Sequence, residues 1–253
     1  MLNRTELYYF SPTGGTKEVG EIFCGEISEN VKLVDLGEPK SMVEEAQSEL
    51  IVAAVPVFGG RIPAVAAKKL SELDGRGKKA VTLAVYGTRA YEDALLELNN
   101  ILEERGFQIA ASAALIARHS IVPEVGKGRP DEQDRKEIAK FAQKVLEKLE
   151  KNSEDSVKVP GNYPYKAEMN MGVTPVSLSD CNQCGKCASV CPTEAIQMEK
   201  SGAVTSPEKC ILCMACVYAC PSQARVLPQP LQEKMDQMLG ALKSVRRENE
   251  FFL

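Results

Sequence analysis

The chain has 253 residues, enough for one large or two modest domains, and its 44% hydrophobic and 26% charged residues are ordinary for a globular protein. The net charge of −4 is spread without long basic blocks, which argues against a dedicated nucleic-acid-binding protein. The longest apolar run, residues 51–58, is too short to cross a bilayer, and the first ten residues have no signal-peptide layout. We therefore expect a cytoplasmic protein whose clustered cysteines bind metal.

The first 150 residues read as alternating strands and helices. Five strands are predicted: residues 6–10, 50–57, 80–87 and 109–117 are short apolar runs, and residues 31–36 alternate apolar and polar side chains. Apolar residues at helical spacing predict helices over 91–105 and 131–151, and Asp131 is the expected N-cap of the second. Strands that alternate with helices predict an α/β domain over residues 1–151, built on a doubly wound parallel five-stranded sheet.

Three loops follow predicted strands at the edge where such sheets bind ligands. The first, SPTGGTKEVG at residues 11–20, places glycines and hydroxyls at the start of a helix, where free N–H groups attract an anion. It has neither the Walker A pattern nor the dinucleotide G-x-G-x-x-G pattern. The other two loops are PVFGGRIP, residues 56–63, and YGTRAYEDA, residues 86–94. For the first loop, an ordinary turn with a threonine cap is the alternative.

These loops resemble the flavin-binding loops of flavodoxins, through S-P-T-G-G-T and through the spacing of Gly87 and Tyr91. The resemblance implies a flavodoxin-like domain that binds FMN. It assigns the phosphate to the first loop and the isoalloxazine ring to the other two, where Phe58 takes the place of the usual aromatic residue. The implied FMN-binding residues are Ser11, Thr13, Gly14, Gly15, Thr16, Pro56, Val57, Phe58, Gly59, Gly60, Tyr86, Gly87, Thr88, Arg89 and Tyr91.

The same region differs from flavodoxins in its charge. Flavodoxins usually surround the ring with acids, whereas this sequence has Arg61, Arg89 and Arg118 near the loops. Such cations would either favour the anionic reduced flavin, or else face solvent or pair with nearby acids such as Glu92 and Asp93. His119 is the only histidine, and it has two open interpretations: a proton relay to the flavin or a hydrogen-bonded structural residue.

Residues 152–176 form the predicted linker, because they are rich in proline, glycine and polar residues. Tyr163, Tyr165, Met169 and Met171 make this segment too apolar for a free tether. We therefore expect it to lie along both domains and to fix their distance.

Eight of the nine cysteines form two copies of the pattern C-x2-C-x2-C-x3-C-P, at residues 181–192 and 210–221. In this pattern the first three thiolates of a run hold one [4Fe–4S] cluster and the fourth ligates the other cluster. One cluster is thus expected on Cys181, Cys184, Cys187 and Cys220, and the second on Cys210, Cys213, Cys216 and Cys191. Structural zinc usually takes two C-x2-C pairs, and disulfides need an oxidising compartment, so both alternatives are weaker.

Residues 177–228 closely resemble two-cluster bacterial ferredoxins, which implies a small α+β domain. Four acids and four bases make the stretch 180–228 neutral, which favours a built-in relay over a freely diffusing carrier. Residues 229–253 are predicted as a C-terminal helix whose apolar end, FFL, docks within the chain.

The whole chain resembles the flavodoxin–ferredoxin fusions of the EFR1 type. The resemblance implies an electron-transfer protein that passes single electrons between FMN and two [4Fe–4S] clusters. Its partners would be oxidoreductases that act as low-potential electron donors or acceptors. A flavin-dependent reductase of a small acceptor and a redox-sensing iron–sulfur protein remain as alternatives. An electron carrier is favoured because the sequence offers no acid–base or nucleophile constellation and no nicotinamide fingerprint. The sequence leaves the oligomeric state open.

Overall fold

A computed structural model describes residues 1–39, 46–151, 155–169, 171–200 and 202–253. Positions 152–154 and 170 of the predicted linker lie outside these described residues. Across the described ranges, no helix has the length and apolar character needed to cross a membrane.

The N-terminal domain is built on five parallel strands. They are β1 (Thr5–Tyr9), β2 (Val31–Asp35), β3 (Leu50–Pro56), β4 (Lys79–Tyr86) and β5 (Gln108–Ile116). Their order across the sheet is β2–β1–β3–β4–β5, which is the flavodoxin-like doubly wound order. All five predicted strands are confirmed, each within one residue at either end. The central strands β3 and β4 are buried almost throughout, as their near-continuous apolar runs predict, whereas β2 lies at the sheet edge and is partly exposed.

Four helices cover the two faces of this sheet. One face carries α1 (Gly15–Ile27) and α4 (Glu132–Glu150), and the other carries α2 (Ala64–Leu70) and α3 (Ala94–Glu104).

The N-terminus of α4 has the cap that the sequence predicted. The Asp131 carboxylate accepts the N–H groups of Gln133 and Asp134, and the Asp134 carboxylate accepts the Asp131 N–H. This reciprocal arrangement is a capping box, and it fixes where the helix begins.

The C-terminal module is a small α+β unit. Its helices are α5 (Lys186–Ser189) and α6 (Ala215–Tyr218), and its strands form two antiparallel pairs, β6 (Val176–Ser177) with β9 (Arg225–Val226) and β7 (Ile196–Glu199) with β8 (Gly202–Thr205). Each helix follows a residue with left-handed backbone, Gly185 at φ 74° and Met214 at φ 68°. These two residues occupy the same position in the two cysteine runs, so the duplication in sequence is also a duplication in structure.

The C-terminal segment is not one helix, which corrects the prediction for residues 229–253. Helix α7 (Gln229–Leu239) continues into a 3-10 turn at Gly240–Leu242, and the chain then returns to the sheet. There β10 (Glu250–Phe252) adds a sixth strand, antiparallel to β5 at the edge. The Phe251 ring lies 4.8 Å from the ring of Phe141 in α4, which confirms that the apolar end docks within the chain.

The linker residues 155–169 are fixed along the N-terminal domain, and we call them the strap. The Asp93 carboxylate accepts the N–H groups of Asn162 and Lys166, at 2.8 and 2.7 Å. The Asn100 side chain donates to the Tyr165 hydroxyl at 2.6 Å. The aromatic and polar residues of the strap therefore bind it to the N-terminal domain, and these contacts are one half of the expected arrangement along both domains.

Candidate functional site

Two cavities in the C-terminal module are each lined by four cysteines. The first, of about 260 Å³, is lined by Cys181, Cys184, Cys187 and Cys220. The second, of about 320 Å³, is lined by Cys191, Cys210, Cys213 and Cys216. The fourth cysteine of each run therefore faces the triplet of the other run, which is the crossed grouping that the spacing predicts.

The two cysteine sets differ in their exposure to solvent. Cys184 of the first set is exposed, whereas Cys213 of the second set is 9% exposed. Burial raises the pKa of the Cys213 thiol to about 12, so without metal this group is protonated at neutral pH and metal binding must displace the proton. Among the described residues, no three His, Cys, Asp or Glu side chains converge as the ligands of one metal ion would. The thiols of each set surround a space instead.

A cleft of about 480 Å³ opens at the carboxyl edge of the sheet. The loops after β1, β3, β4 and β5 form its walls, together with Cys213 from the C-terminal module. Of the residues that the sequence assigned to FMN, the cleft brings together Thr13, Gly15, Thr16, Pro56, Val57, Phe58, Tyr86 and Gly87.

The first loop presents a helix N-terminus to this cleft. Gly14 precedes α1 with φ 92°, a left-handed conformation that suits glycine. The N–H groups of Gly15 and Thr16 begin the helix and have no acceptor among the described residues. Ser11 Oγ caps the same end by accepting the Lys17 N–H at 2.9 Å, so Ser11 shapes the loop rather than lining the cleft. This end of α1 is suited to an anionic group.

The structure places Tyr91 away from the cleft, which corrects its predicted contact with the flavin ring. The Tyr91 ring is 8% exposed and packs edge-on against Tyr86 at 5.4 Å between centroids. Its hydroxyl donates a 2.7 Å hydrogen bond to Glu250 in β10. The third loop therefore offers Tyr86 and Gly87 to the cleft, and the matching spacing of Gly87 and Tyr91 reflects a buried packing role.

Three further predicted residues do not line the cleft. Gly59 and Gly60 form the turn after β3, with φ 61° and 93°, and a Cβ on Gly60 would lie 1.9 Å from the Glu92 carboxylate. Thr88 is 1% exposed, and its buried hydroxyl has no partner among the described residues. These residues shape the loops behind the cleft wall.

The arginines near the loops are mostly paired with acids. Arg61 makes a two-pronged ion pair with Glu97, at 2.7 and 2.6 Å, and this hydrogen bonding raises the pKa of the guanidinium. Arg89, which also lies outside the cleft lining, pairs with Glu92 at 2.8 Å. Acid pairing, one of the two open interpretations, is therefore confirmed for both.

Arg118 is the arginine that lines the cleft. Its guanidinium lies 5.8 Å from the centre of the Tyr218 ring, which belongs to α6 of the C-terminal module. This contact joins the two parts of the chain beside the cleft.

His119 also lines the cleft, and its ring is held by the backbone. Nδ1 accepts the N–H groups of Ile121 and Val122, at 3.2 and 3.1 Å. Burial, followed by the nearby Arg89 charge, lowers the pKa of His119 to about 4, so the ring is neutral at neutral pH. These contacts support the structural interpretation. The position of the ring also explains why residue 87 is a glycine, because a Cβ there would lie 2.6 Å from the His119 side chain.

Sequence reasoning did not place Ser120 or Cys213 at the cleft. Ser120 follows β5 and carries no recognisable pattern. Cys213 was assigned to a cluster, and no local signal shows that it also reaches the sheet edge, because that contact depends on how the two parts of the chain pack.

Comparison with known sequences gives matches to the C-terminal region. The 4Fe-4S dicluster domain family matches residues 180–224. A polyferredoxin-like subunit of the aliphatic sulfonate oxidoreductase of Pyrococcus furiosus is 48% identical over 52 residues, which are 19% of this chain and 30% of that protein. The electron transport protein HydN of Escherichia coli K12 is 32% identical over 74 residues, 28% of this chain and 42% of that protein. The chain thus spans less than half the length of these relatives.

A ferredoxin-like protein from the nif region of Sinorhizobium fredii is matched over most of its length. It is 38% identical over 52 residues, which are 21% of this chain and 80% of that protein. Among solved structures, a Streptococcus pneumoniae flavodoxin gives a TM-score of 0.44 at 15% identity, covering 57% of this chain and 99% of that one. Flavodoxin 1 of Bacillus cereus gives a TM-score of 0.43 at 17% identity, and the match covers 57% of this chain and 98% of that one.

Proposed function

Because its C-terminal region belongs to the 4Fe-4S dicluster ferredoxins, we propose that this chain is an electron-transfer protein that carries two [4Fe–4S] clusters and one FMN. We further propose that it is a flavodoxin–ferredoxin fusion of the EFR1 type and acts in the cytoplasm. One observation carries the proposal: Cys213 lines both the second cysteine cavity and the cleft at the sheet edge.

The two cysteine sets fit iron–sulfur clusters. All eight donors are thiols, the soft ligands that such clusters require, and each set encloses a separate cavity. We propose that Cys181, Cys184, Cys187 and Cys220 hold the first cluster and that Cys191, Cys210, Cys213 and Cys216 hold the second.

The cleft fits a flavin mononucleotide. The free N–H groups of Gly15 and Thr16, with the Thr13 side chain in the same loop, would hold the phosphate. Phe58 and Tyr86 supply apolar and aromatic walls for the ring. When bound, the clusters would exchange single electrons and the flavin would accept one or two.

The position of Cys213 makes an electron path between the sites short. The residue belongs to the second cysteine set and is also part of the wall of the flavin cleft. The strap and β10 hold the two parts of the chain together, so exchange inside one molecule would not depend on an encounter. The protein's own contribution is therefore to fix this distance.

The first cysteine set supplies the outer end of this path. Cys184 is exposed, and the adjoining Met198 is 38% exposed and lines the same cavity. We propose that a low-potential redox protein gives or takes electrons at this end. The name of the Escherichia coli relative, an electron transport protein, agrees with such a role.

An anaerobic redox titration followed by absorbance and electron paramagnetic resonance tests the proposal. We expect bound flavin, iron with acid-labile sulfide, and two cluster signals that titrate separately from the flavin. Colourless protein, or zinc in place of iron and sulfide, would contradict it. Protein with clusters but no flavin would contradict the FMN part alone.

A second candidate function is a flavin-dependent reductase of a small acceptor. A cavity of about 1,020 Å³ adjoins the phosphate loop, between Ser11 and Thr13 on one side and Tyr218 on the other. A small molecule bound there would lie beside the flavin site. Anaerobic turnover with small quinone or dye acceptors, measured at increasing acceptor concentration, separates the functions: saturation indicates a binding site for the acceptor, and a linear rate indicates a carrier.

A further inference from the structure

Arg225 in β9 is a fully buried guanidinium, 2% exposed. It donates to Ser177 Oγ at 3.1 Å, to the Ala203 carbonyl at 2.9 Å and to Thr205 Oγ1 at 2.5 Å. All three acceptors are neutral. The Nε–H is buried as well and has no acceptor in the part of the chain that the structure describes.

A buried positive charge of this kind is unfavourable unless an opposite charge compensates it. Neutral acceptors satisfy some of the N–H groups of Arg225, but they do not neutralise its charge. Within the described ranges Arg225 forms no ion pair with a carboxylate, in contrast to Arg61, whose partner is Glu97. Something else must therefore supply the negative charge.

Arg225 lies in the wall of one cysteine cavity and near the other cysteine set. Its side chain is part of the wall of the first cavity, beside Cys187 and Cys220. Its charge also acts on Cys210 and Cys216 of the second set. A single buried cation therefore contacts the first cysteine cavity and acts electrostatically on cysteines of the second set.

We propose that Arg225 is the internal counterion of both iron–sulfur clusters, and that its Nε–H is a donor to cluster or thiolate sulfur. This inference rests on the proposed function, because the iron-bound thiolates and sulfides supply the negative charge. Reduction adds one more negative charge to a cluster, so a fixed cation nearby favours the reduced state and raises the reduction potential. Hydrogen bonds to the sulfurs act in the same direction.

A purely structural role is the alternative. Through Ser177, Ala203 and Thr205, Arg225 also ties β6 and β8 to β9, and that contribution alone would explain its burial. The two roles separate when charge and hydrogen bonding are changed independently. Arg225→Gln removes the charge and keeps N–H donors, whereas Arg225→Lys keeps the charge and loses the planar fork.

The experiment compares the full-length variants with the native protein, loaded with clusters and flavin, in an anaerobic titration. Arg225→Gln should make reduction of both clusters at least tenfold less favourable, which is about 59 mV for a one-electron couple. Arg225→Lys should stay close to the native potentials. The flavin potential should not change, because Arg225 does not line the cleft. Lys200→Gln is the matched control, since it removes an exposed cation from the same module.

If a variant does not retain iron, its potentials cannot be measured, and its iron content then distinguishes the counterion role from a structural role. Loss of iron from Arg225→Gln with retention in Arg225→Lys supports the counterion role, because only the former removes the charge. Native potentials in Arg225→Gln, or the same change or loss in both variants, would overturn it. Failure of the proposed function itself is seen separately, as native protein without iron and sulfide.

Discussion

The hydroxyl of Tyr91 and the carboxylate of Glu250 are joined by a 2.7 Å hydrogen bond, although 159 positions separate them in the sequence. The bond links the loop after β4, beside the cleft, to the last strand of the sheet. Burial and this hydrogen bond raise the pKa of the Tyr91 hydroxyl, which therefore stays protonated as a donor. The C-terminal tail thus helps to shape the candidate flavin site from behind.

Asn249 should be the main polar anchor of this tail. Its Oδ1 accepts the Ile116 N–H at 2.9 Å, and its Nδ2 donates to Asp134 and Glu137, both at 2.8 Å. Asn249→Ala leaves a buried N–H without an acceptor, so we expect the free energy of unfolding to fall by about 2–3 kcal/mol. Urea unfolding measures the change. Glu248→Ala, at an exposed neighbouring position, should cost less than about 0.5 kcal/mol; equal losses would contradict the anchoring role.

Replacing single cysteines should separate the two clusters. Cys184→Ser and Cys213→Ser should each lose about half of the bound iron, because each removes one ligand of a different set. Only Cys213→Ser should also change the absorption spectrum of the bound flavin, since Cys213 lines the cleft. Iron analysis and visible spectra measure both effects. Cys24→Ser is the control: Cys24 is buried in α1, away from both sets, and the variant should keep all the iron.

A negative charge in the first loop should weaken binding of FMN but not of riboflavin. Thr13 lines the cleft beside the free N–H groups of Gly15 and Thr16, where we place the phosphate. Thr13→Glu should raise the dissociation constant of FMN at least tenfold, about 1.4 kcal/mol, because like charges repel. Thr13→Gln, similar in size and neutral, is the control. Equal weakening of riboflavin binding would place the phosphate elsewhere.

Stability should decrease in mild acid because of His119. Its pKa is about 6.5 in the unfolded chain and about 4 in the folded chain, where the ring is buried. Between these values the unfolded state binds a proton that the folded state does not, so this group reduces stability as the pH falls, by about 3 kcal/mol at pH 4. His119→Asn keeps an acceptor and does not titrate. Its unfolding free energy, measured from pH 7 to 4, should therefore decrease less than that of the native protein; parallel curves would contradict this account.

The sequence predicted those parts of the fold that depend on local pattern. Apolar runs and, for β2, an alternating pattern predicted the five parallel strands, Asp131 predicted the start of α4, and the cysteine spacing predicted the grouping around two cavities. It could not predict features that depend on distant pairing. The spacing from Gly87 to Tyr91 matched a flavin-binding loop, but β10 lies far along the chain and determines where the Tyr91 hydroxyl binds. Apolar residues continue at helical spacing beyond Leu239 and predict a longer helix, but the chain leaves the helix there and returns to the sheet.

The position of β10 also has a consequence for biosynthesis. A ribosome completes β5 long before it reaches Glu250, and the whole cysteine-rich module is translated in between. During that interval the nascent sheet presents an open edge, and unpaired strand edges readily join other chains. Closure of the sheet is therefore a late event, and a chain that ends after the second cysteine run would keep an open β5 edge and be prone to aggregate.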